Sequence, residues 1–163
     1  KPNGRGGIFR GGFFSIDYRL TFGEKTGATA DGRLAGEPLS KNMCAVTAMD
    51  REGVTALIRS ATAVDYTDTP NGTVLDIVLY TGAVEGESGL CAMETLLDTY
   101  MEKRGFAMQI NVLSPEVLRA AQAHPENYAT LQVRLCGWNV YFTSLSHVEQ
   151  DEFIRQTENA ASH

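Results

Sequence analysis

The sequence predicts an α/β fold, and three observations support that class. After residue 70, β-branched runs alternate with segments in which apolar residues recur at helical spacing. The helix-like segments carry residues typical of helix starts and stops, and this alternation is typical of strands connected by helices. The composition, with 43% hydrophobic and 21% charged residues over 163 positions, is that of a globular chain large enough to bury a core.

The first fifty residues are rich in glycine and in turn-forming residues. Five glycines within the first twelve positions are interleaved with phenylalanines, which fits a segment that contacts a partner surface and equally a flexible end. Apolar and polar side chains alternate over residues 14–20, which predicts a short strand. Residues 23–43 predict a loop, and loops longer than about 12–15 residues are usually functional or disordered. We therefore separate residues 1–50, a glycine-rich and loop region, from residues 51–163.

The second region begins with a predicted helix and a predicted strand. Asp50 has the side chain of an N-cap and predicts a helix over residues 52–63. Residues 70–72, Pro-Asn-Gly, predict a turn. The run from 73 to 80 is rich in β-branched residues and predicts a strand.

A longer helix and a second strand continue the alternation. Ser88 predicts the N-cap of a helix over residues 89–104, and Gly105 predicts its end. Residues 106–113 are apolar at most positions and predict a strand.

Two further helices carry clear start signals. Ser114 at the N-cap and Pro115 at the first helical position predict a helix that ends before Pro125. Ser146, with Glu149 three positions later, forms a capping box and predicts the start of a final helix.

Charge and cysteine pattern exclude several classes. The chain has 14 Lys and Arg against 20 Asp and Glu, a net charge of −6, and no basic stripe, so we expect no nucleic-acid partner. No apolar run approaches the roughly 20 residues of a membrane helix, so we expect no membrane partner. Three dispersed cysteines and three dispersed histidines favour a reducing, cytoplasmic compartment and no local metal site. Because the chain begins at Lys1 without a start Met or a signal-like segment, we expect a fragment or a processed product.

The ordinary catalytic motifs are absent, and the remaining polar segments have structural interpretations. Residues 31–33, Asp-Gly-Arg, could bind an anion, but we favour a tight turn with an ion pair. Residues 149–152 are expected to form a solvated helix start that complements the helix dipole. Cys44 and Cys91 are expected to be small core residues rather than nucleophiles.

One segment stands apart, from residue 131 to residue 142. Residues 131–135 and 140–142 predict short strands, and between them Gly137 precedes the large aromatic Trp138. Taken alone, this pattern predicts a β-bulge or a tight bend that requires glycine.

That segment and four others, in order along the chain, form a specific combination. The segments are Arg134-Leu135-Cys136-Gly137-Trp138 and residues 29–38 (TADGRLAGEP), 109–112 (QINV), 124–128 (HPENY) and 146–156 (SHVEQDEFIRQ). They resemble, respectively, the radical signature, the (P)DGRxAG(E/A)P segment, the strand ahead of the radical loop, the NPExY turn and the terminal helix of glycyl radical enzymes of the pyruvate formate-lyase type. The resemblance spans about residues 14–157. Trp138 stands where the family usually has Tyr, and Leu135 where it has Val or Ile, which leaves the substrate subclass open.

The resemblance implies a fold and a radical site. The fold would be the C-terminal portion of a ten-stranded α/β barrel, supplying the last strands, the glycyl radical loop and peripheral helices, so that residues 51–163 form a C-terminal glycyl radical domain. Gly137 would store a backbone radical, because an α-carbon radical is stabilised when it is planar and lies between an amide and a carbonyl, which a side chain opposes. Arg134, Cys136, Trp138 and Asn139 would shape the loop. Family members are cleaved at the radical residue by dioxygen.

The resemblance also implies a division of labour between proteins. The chain itself would bind no cofactor and no metal; a radical-activating iron–sulfur enzyme that uses S-adenosylmethionine would remove the glycine hydrogen. The radical would then generate a thiyl radical on a cysteine of the upstream barrel portion of the parent enzyme, a motif this chain lacks, so we expect the chain alone to be inactive. A homodimer is left open.

The implied reaction is C–C, C–O or C–N cleavage of a small substrate in the cytoplasm under anaerobic conditions. Pyruvate with coenzyme A is the default, as in a formate acetyltransferase, while dehydratases and decarboxylases share the motifs. Two alternatives stay open: a stand-alone spare part that repairs a damaged lyase, and a binding module without a radical.

Overall fold

The computed structural model describes residues 2–13, 18–46, 49–135 and 137–162. Its regular elements alternate between helix and strand after residue 73, so the predicted α/β class is confirmed. In chain order they are α1 (Arg19–Gly23), α2 (Gly53–Ala61), β1 (Val74–Tyr80), α3 (Gly86–Glu102), β2 (Ala107–Leu113), α4 (Pro115–Ala123), β3 (Gln132–Leu135), β4 (Trp138–Tyr141) and α5 (His147–Ala161). Single 3₁₀ turns lie at Thr81–Val84, Pro125–Asn127 and Phe142–Ser144.

Strands β1 and β2 form a parallel pair joined by α3. Their register runs from Val74 opposite Ala107 to Tyr80 opposite Leu113. Parallel neighbours need such a crossover, because one strand must return to the same end of the sheet before the next begins. Paired residues on parallel strands point to the same face, so the pair has two distinct faces.

Each face of the β1–β2 pair carries its own hydrophobic cluster. One face packs against α2 and α3, through Ile58, Ala61, Leu75, Ile77, Leu79 and Tyr100. The other face packs against α4, α5 and the β3–β4 hairpin, through Leu113, Leu118, Ala121, Val133, Leu135, Phe142, Phe153 and Ile154. The pair is therefore the middle layer of three, and the hairpin belongs to the layer that contains α5.

Strands β3 and β4 form an antiparallel hairpin that is separate from β1 and β2. Its register runs from Gln132 opposite Tyr141 to Leu135 opposite Trp138. Only two residues, 136 and 137, connect the strands, which is the shortest common hairpin connection.

The predicted caps of the last two helices are confirmed. The Ser114 hydroxyl accepts a hydrogen bond from the Val117 amide at 3.3 Å, with Pro115 opening α4. At the start of α5, Ser146 and Glu149 cap each other's amides in a complete capping box. These local signals decide where helices begin because they satisfy amides that have no partner inside the helix.

Two predicted caps are wrong. Asp50 does not cap α2; its carboxylate instead accepts a hydrogen bond from Asn159 on α5 at 2.9 Å, so a tertiary contact replaces the local one. Ser88 lies inside α3, which begins at Gly86, because the 3₁₀ turn Thr81–Val84 leads the backbone into the helix earlier.

The end of α3 depends on Gly105, but Gly105 is not the residue that takes the left-handed conformation there. Arg104 takes the left-handed conformation, with φ +61°. A Cβ at position 105 would run into the ring of Tyr100, which is buried. Glycine is therefore needed there to make room for the ring.

The strand predicted over residues 14–20 is wrong in its described part, since Arg19 begins α1. Residues 14–17 lie outside the described residues. The Arg19 guanidinium is buried and forms an ion pair with Glu152 on α5. This long-range contact ties the start of the chain to its last helix.

The predicted loop after residue 23 is confirmed, since residues 24–46 hold no strand or helix. Its Arg33 side chain is 2% exposed and donates to the carbonyls of Thr26, Gly27, Leu34 and Glu37. Arg33 therefore closes the predicted turn through carbonyls, not through the expected ion pair, and its guanidinium is not turned outward toward an anion.

The solvated start predicted for residues 149–152 is wrong at two positions. Gln150 and Glu152 are both buried. Glu152 faces Arg19 and also Lys41, whose Nζ lies 3.7 Å from its Oε1 and 4.4 Å from the centre of the Phe153 ring. Acidic residues on the first turns of a helix look solvated in sequence, but here one of them is the counter-ion of two buried cations.

We predict that Glu152→Gln lowers the free energy of unfolding by about 3–5 kcal/mol, because it leaves Arg19 and Lys41 buried without their carboxylate. Glu158→Gln is the matched control on the same helix: Glu158 pairs with Arg119 at the surface, and its loss should change the free energy by less than about 1 kcal/mol. Urea denaturation followed by circular dichroism measures both. Equal effects in the two variants would contradict the structural role assigned to Glu152.

Candidate functional site

Gly137 lies at the tip of the β3–β4 hairpin. Its φ is +91°, in the region that favours glycine, and it is exposed. A Cβ added there would meet no atom within 4 Å. Glycine is thus favoured by the backbone conformation and not by lack of space. A residue with a side chain would pay about 1–2 kcal/mol to adopt this conformation. The predicted tight bend is confirmed as a hairpin turn.

Three of the four residues predicted to shape the loop surround Gly137. Arg134 and Asn139 are paired across the hairpin, and Arg134 Nη1 donates to Asn139 Oδ1 at 2.9 Å. Trp138 follows Gly137 directly and is 69% exposed. Cys136, the fourth, lies outside the described residues.

The main chain of Arg134 is held by a side chain of β2. The Arg134 amide donates to Asn111 Oδ1 at 2.9 Å, and Asn111 Nδ2 donates to the Arg134 carbonyl at 3.0 Å. A carboxamide carries the same donor and acceptor as a peptide group. Asn111 therefore bonds the outer edge of β3 as a neighbouring strand would, and it does so three residues before Gly137.

The side chain of Arg134 is held by the same strand. Its Nε donates to Gln109 Oε1 at 3.1 Å. Gln109 and Asn111 are both more than nine-tenths buried, on the face of the sheet that packs toward α5. Neither was predicted as a site residue. The signal was present, since two amides two positions apart on an apolar strand share one face and need polar partners.

Asp76 extends this polar face onto β1. It is paired with Gln109 in the sheet, and its Oδ2 accepts from Asn42 Nδ2 at 3.2 Å. Burial raises the pKa of the Asp76 carboxyl, while the charge of Lys41, the bond from Asn42 and the charge of Arg134 act to lower it. A carboxylate with two nearby cations therefore lies beneath the hairpin.

The two described cysteines differ from each other. Cys44 is half-buried, and its thiol exchanges hydrogen bonds with the main chain of Asp76, at 3.2 and 3.3 Å. Cys91 is exposed on α3, so the expectation that it is a core residue is wrong. Cys91 is a free thiol.

The described residues contain neither a metal-ligand cluster nor a membrane-spanning helix. There, no three side chains among His, Cys, Asp and Glu come together in a way that could hold a metal ion. Within the same residues, no helix has the length and apolar character needed to cross a bilayer.

A family model and several known proteins match this chain over most of its length. Residues 39–143 match the family model described as "Glycine radical". The chain is 36% identical over 158 residues to (2S)-3-sulfopropanediol dehydratase of Klebsiella oxytoca, covering 94% of this chain and 19% of that protein. It is 39% identical over 132 residues to the 4-hydroxyphenylacetate decarboxylase glycyl radical subunit of Clostridium scatologenes, covering 80% of this chain and 15% of that subunit.

A solved structure shares the fold. The chain superposes with a TM-score of 0.86, at 36% identity, on the structure titled for 1,2-propanediol dehydration in Roseburia inulinivorans. The match covers 96% of this chain and 20% of that one. The chain thus spans about a fifth of the length of the proteins it matches.

We predict that Asn111→Val speeds hydrogen exchange of the Arg134 amide by about tenfold or more, because loss of a buried hydrogen-bond partner costs about 1–3 kcal/mol. Valine suits a strand, so β2 itself should persist. Asn139→Val is the matched control, since it removes only the bond to the Arg134 side chain and should leave the exchange of that amide near the parent value. Amide exchange by NMR measures both. An Arg134 amide equally protected in the parent and in Asn111→Val would contradict the assignment.

Proposed function

The chain belongs to the glycyl radical enzymes, and on that premise we propose that it stores a backbone radical on Gly137 as the C-terminal domain of a larger enzyme. The observation that supports the proposal most is the position of Gly137. It lies at an exposed hairpin tip with a backbone conformation that favours glycine, inside the region that matches the family model. Residues 51–163 would form the radical domain, with residues 1–50 as an associated region.

The proposed activation is the loss of one hydrogen atom from the α-carbon of Gly137. A partner enzyme with an iron–sulfur cluster and S-adenosylmethionine would supply the radical that accepts that hydrogen. The electron left behind is shared between the Gly137 amide nitrogen and carbonyl, which requires the α-carbon to become planar. With no Cβ to crowd the planar centre, glycine meets this requirement. Exposure of the tip supports access by such a partner.

The neighbouring residues would hold the tip in one orientation. Arg134 is fixed through its main chain by Asn111 and through its side chain by Gln109 and Asn139. Trp138 offers a large exposed apolar surface beside the glycine. Cys136 would serve as the small residue before the radical position.

A stored radical also needs protection from solvent. Gly137 is exposed within this chain, so the surface that shields it would be the upstream barrel portion of the parent enzyme. The exposed rings of Trp138 and Tyr141 would lie against that portion.

The chemistry proposed for the parent is radical cleavage of a C–O or C–C bond in a small substrate. The relatives reported above include proteins named as a dehydratase and a decarboxylase subunit, which favours these reactions over the pyruvate and formate acetyltransferase chemistry expected from the sequence. The reaction would take place in the cytoplasm under anaerobic conditions, because such a radical reacts with dioxygen. A homodimer of the parent is compatible with this scheme.

We predict that anaerobic activation of the full-length protein gives a carbon-centred spin signal with one strongly coupled α-hydrogen. Gly137→Ala should abolish this signal, because it adds a Cβ to the radical centre and removes one of the two α-hydrogens. Electron paramagnetic resonance measures the signal. A full signal in Gly137→Ala would place the radical elsewhere.

Two control variants test whether loss of the signal is specific to Gly137. One controls for backbone strain and the other for a change at the neighbouring residue. Gly36 is also exposed, has φ +84°, and a Cβ there would meet nothing within 4 Å. Gly36→Ala therefore imposes similar strain and should keep the signal. Cys136→Ser should keep it too, since that position needs only a small side chain.

We predict that this chain alone forms no product from propanediol-type or arylacetate substrates, even after activation, because the cysteine that would attack the substrate lies upstream. Addition of the upstream portion should restore turnover. Gas or liquid chromatography of the reaction mixture measures product. Product formed by the chain alone would contradict the division of labour.

A further inference from the structure

A small polar cavity lies beneath the hairpin, between the sheet and α5. Its walls include Lys41, Asp76, Asn111, Arg134 and Gln156, and its volume is about 10 Å³. A volume of this size, about one probe sphere, corresponds to one water molecule when the lining offers polar partners. The cavity therefore matches a single small hydrogen-bonding molecule in both size and chemistry.

One wall of the cavity carries a carboxylate oxygen that needs a donor. Asp76 Oδ2 accepts from Asn42, and the Cys44 thiol lies close to the same carboxyl, but Asp76 Oδ1 is buried without a hydrogen-bond partner of good geometry among the described residues. Such an oxygen is costly to leave unpaired, and buried polar atoms without a protein partner commonly bind ordered water.

Arg134, an exposed residue, also lines the cavity, and its guanidinium has further capacity to donate. Arg134 uses Nε for Gln109 and Nη1 for Asn139. Within the described part of the chain it forms no salt bridge, and its Nη2 takes part in none of the hydrogen bonds found there. Arg134 and Asp76 thus both line one cavity and form no direct ion pair with each other among the described residues.

We propose that one resident water molecule occupies this cavity, accepts a hydrogen bond from the Arg134 guanidinium and donates one to Asp76 Oδ1. The bridge would tie Arg134, near the tip of the hairpin, to β1, whereas Asn111 and Gln109 tie it to β2. Asp76 is then a positioning residue for the hairpin. Its relevance to the radical rests on the proposed function of Gly137, whereas the water site does not.

The first test compares Asp76→Leu with Asp76→Asn in the protein before activation. Leucine removes the acceptor, and the Arg134 amide should exchange about tenfold faster, as expected for the loss of one hydrogen bond worth about 1–1.5 kcal/mol. Asparagine can bond the water in either orientation of its carboxamide, so its exchange should stay within about threefold of the parent. Parent-like protection in Asp76→Leu, or equal loss in both variants, would overturn the proposal.

The second test does not depend on the folding of any variant. A high-resolution crystal structure of the unactivated parent protein should show one water within hydrogen-bonding distance of both Asp76 Oδ1 and the Arg134 guanidinium. A direct ion pair between the two side chains, or a cavity closed by apolar atoms, would overturn the proposal. Both tests use protein without a radical, so a negative result would not affect the assignment of the radical to Gly137. Conversely, a spin signal that persists in Gly137→Ala would not affect the proposed water site.

Discussion

The structure depends on one interaction above all, the pairing of the Asn111 carboxamide with the main chain of Arg134. Among the described residues, the β3–β4 hairpin is not part of the β1–β2 sheet, so no main-chain ladder joins the hairpin to that sheet. Two hydrogen bonds from one side chain take over that role, at 2.9 and 3.0 Å. They act three residues before Gly137, and the orientation of the glycine therefore follows from an amide on β2.

A second constraint joins the ends of the chain. Arg19 and Lys41, both from the first fifty residues, bring buried positive charge to Glu152 on α5. Buried ion pairs add little net stability over apolar packing, but they are costly to break and so specify one arrangement. Because α5 also packs against the hairpin layer, Arg19 and Lys41 hold part of the first fifty residues against the same helix that supports the hairpin.

Local signals in the sequence predicted the class of the fold, the strands of the parallel pair and the capped starts of α4 and α5, because each depends on a few adjacent residues. Long-range partners could not be predicted in the same way. Asp50 carries a cap residue's side chain but bonds Asn159, and Glu152 looks solvated but is a buried counter-ion. In the candidate site, Gly137 and its neighbours were predicted from the family resemblance. Asn111, Gln109 and Asp76 can be identified as site residues only from the fold, which places β1 and β2 beneath the hairpin.

The central claim is that Gly137 carries a radical, and cleavage by dioxygen tests it most directly. A carbon radical in the main chain adds dioxygen, and the adduct breaks the backbone at that residue. Air exposure after anaerobic activation should give two pieces by mass spectrometry, a long one ending near Cys136 and a short one beginning near Trp138, while unactivated protein and Gly137→Ala stay whole. Cleavage without activation, or activation-dependent cleavage at another glycine such as Gly105, would contradict the account.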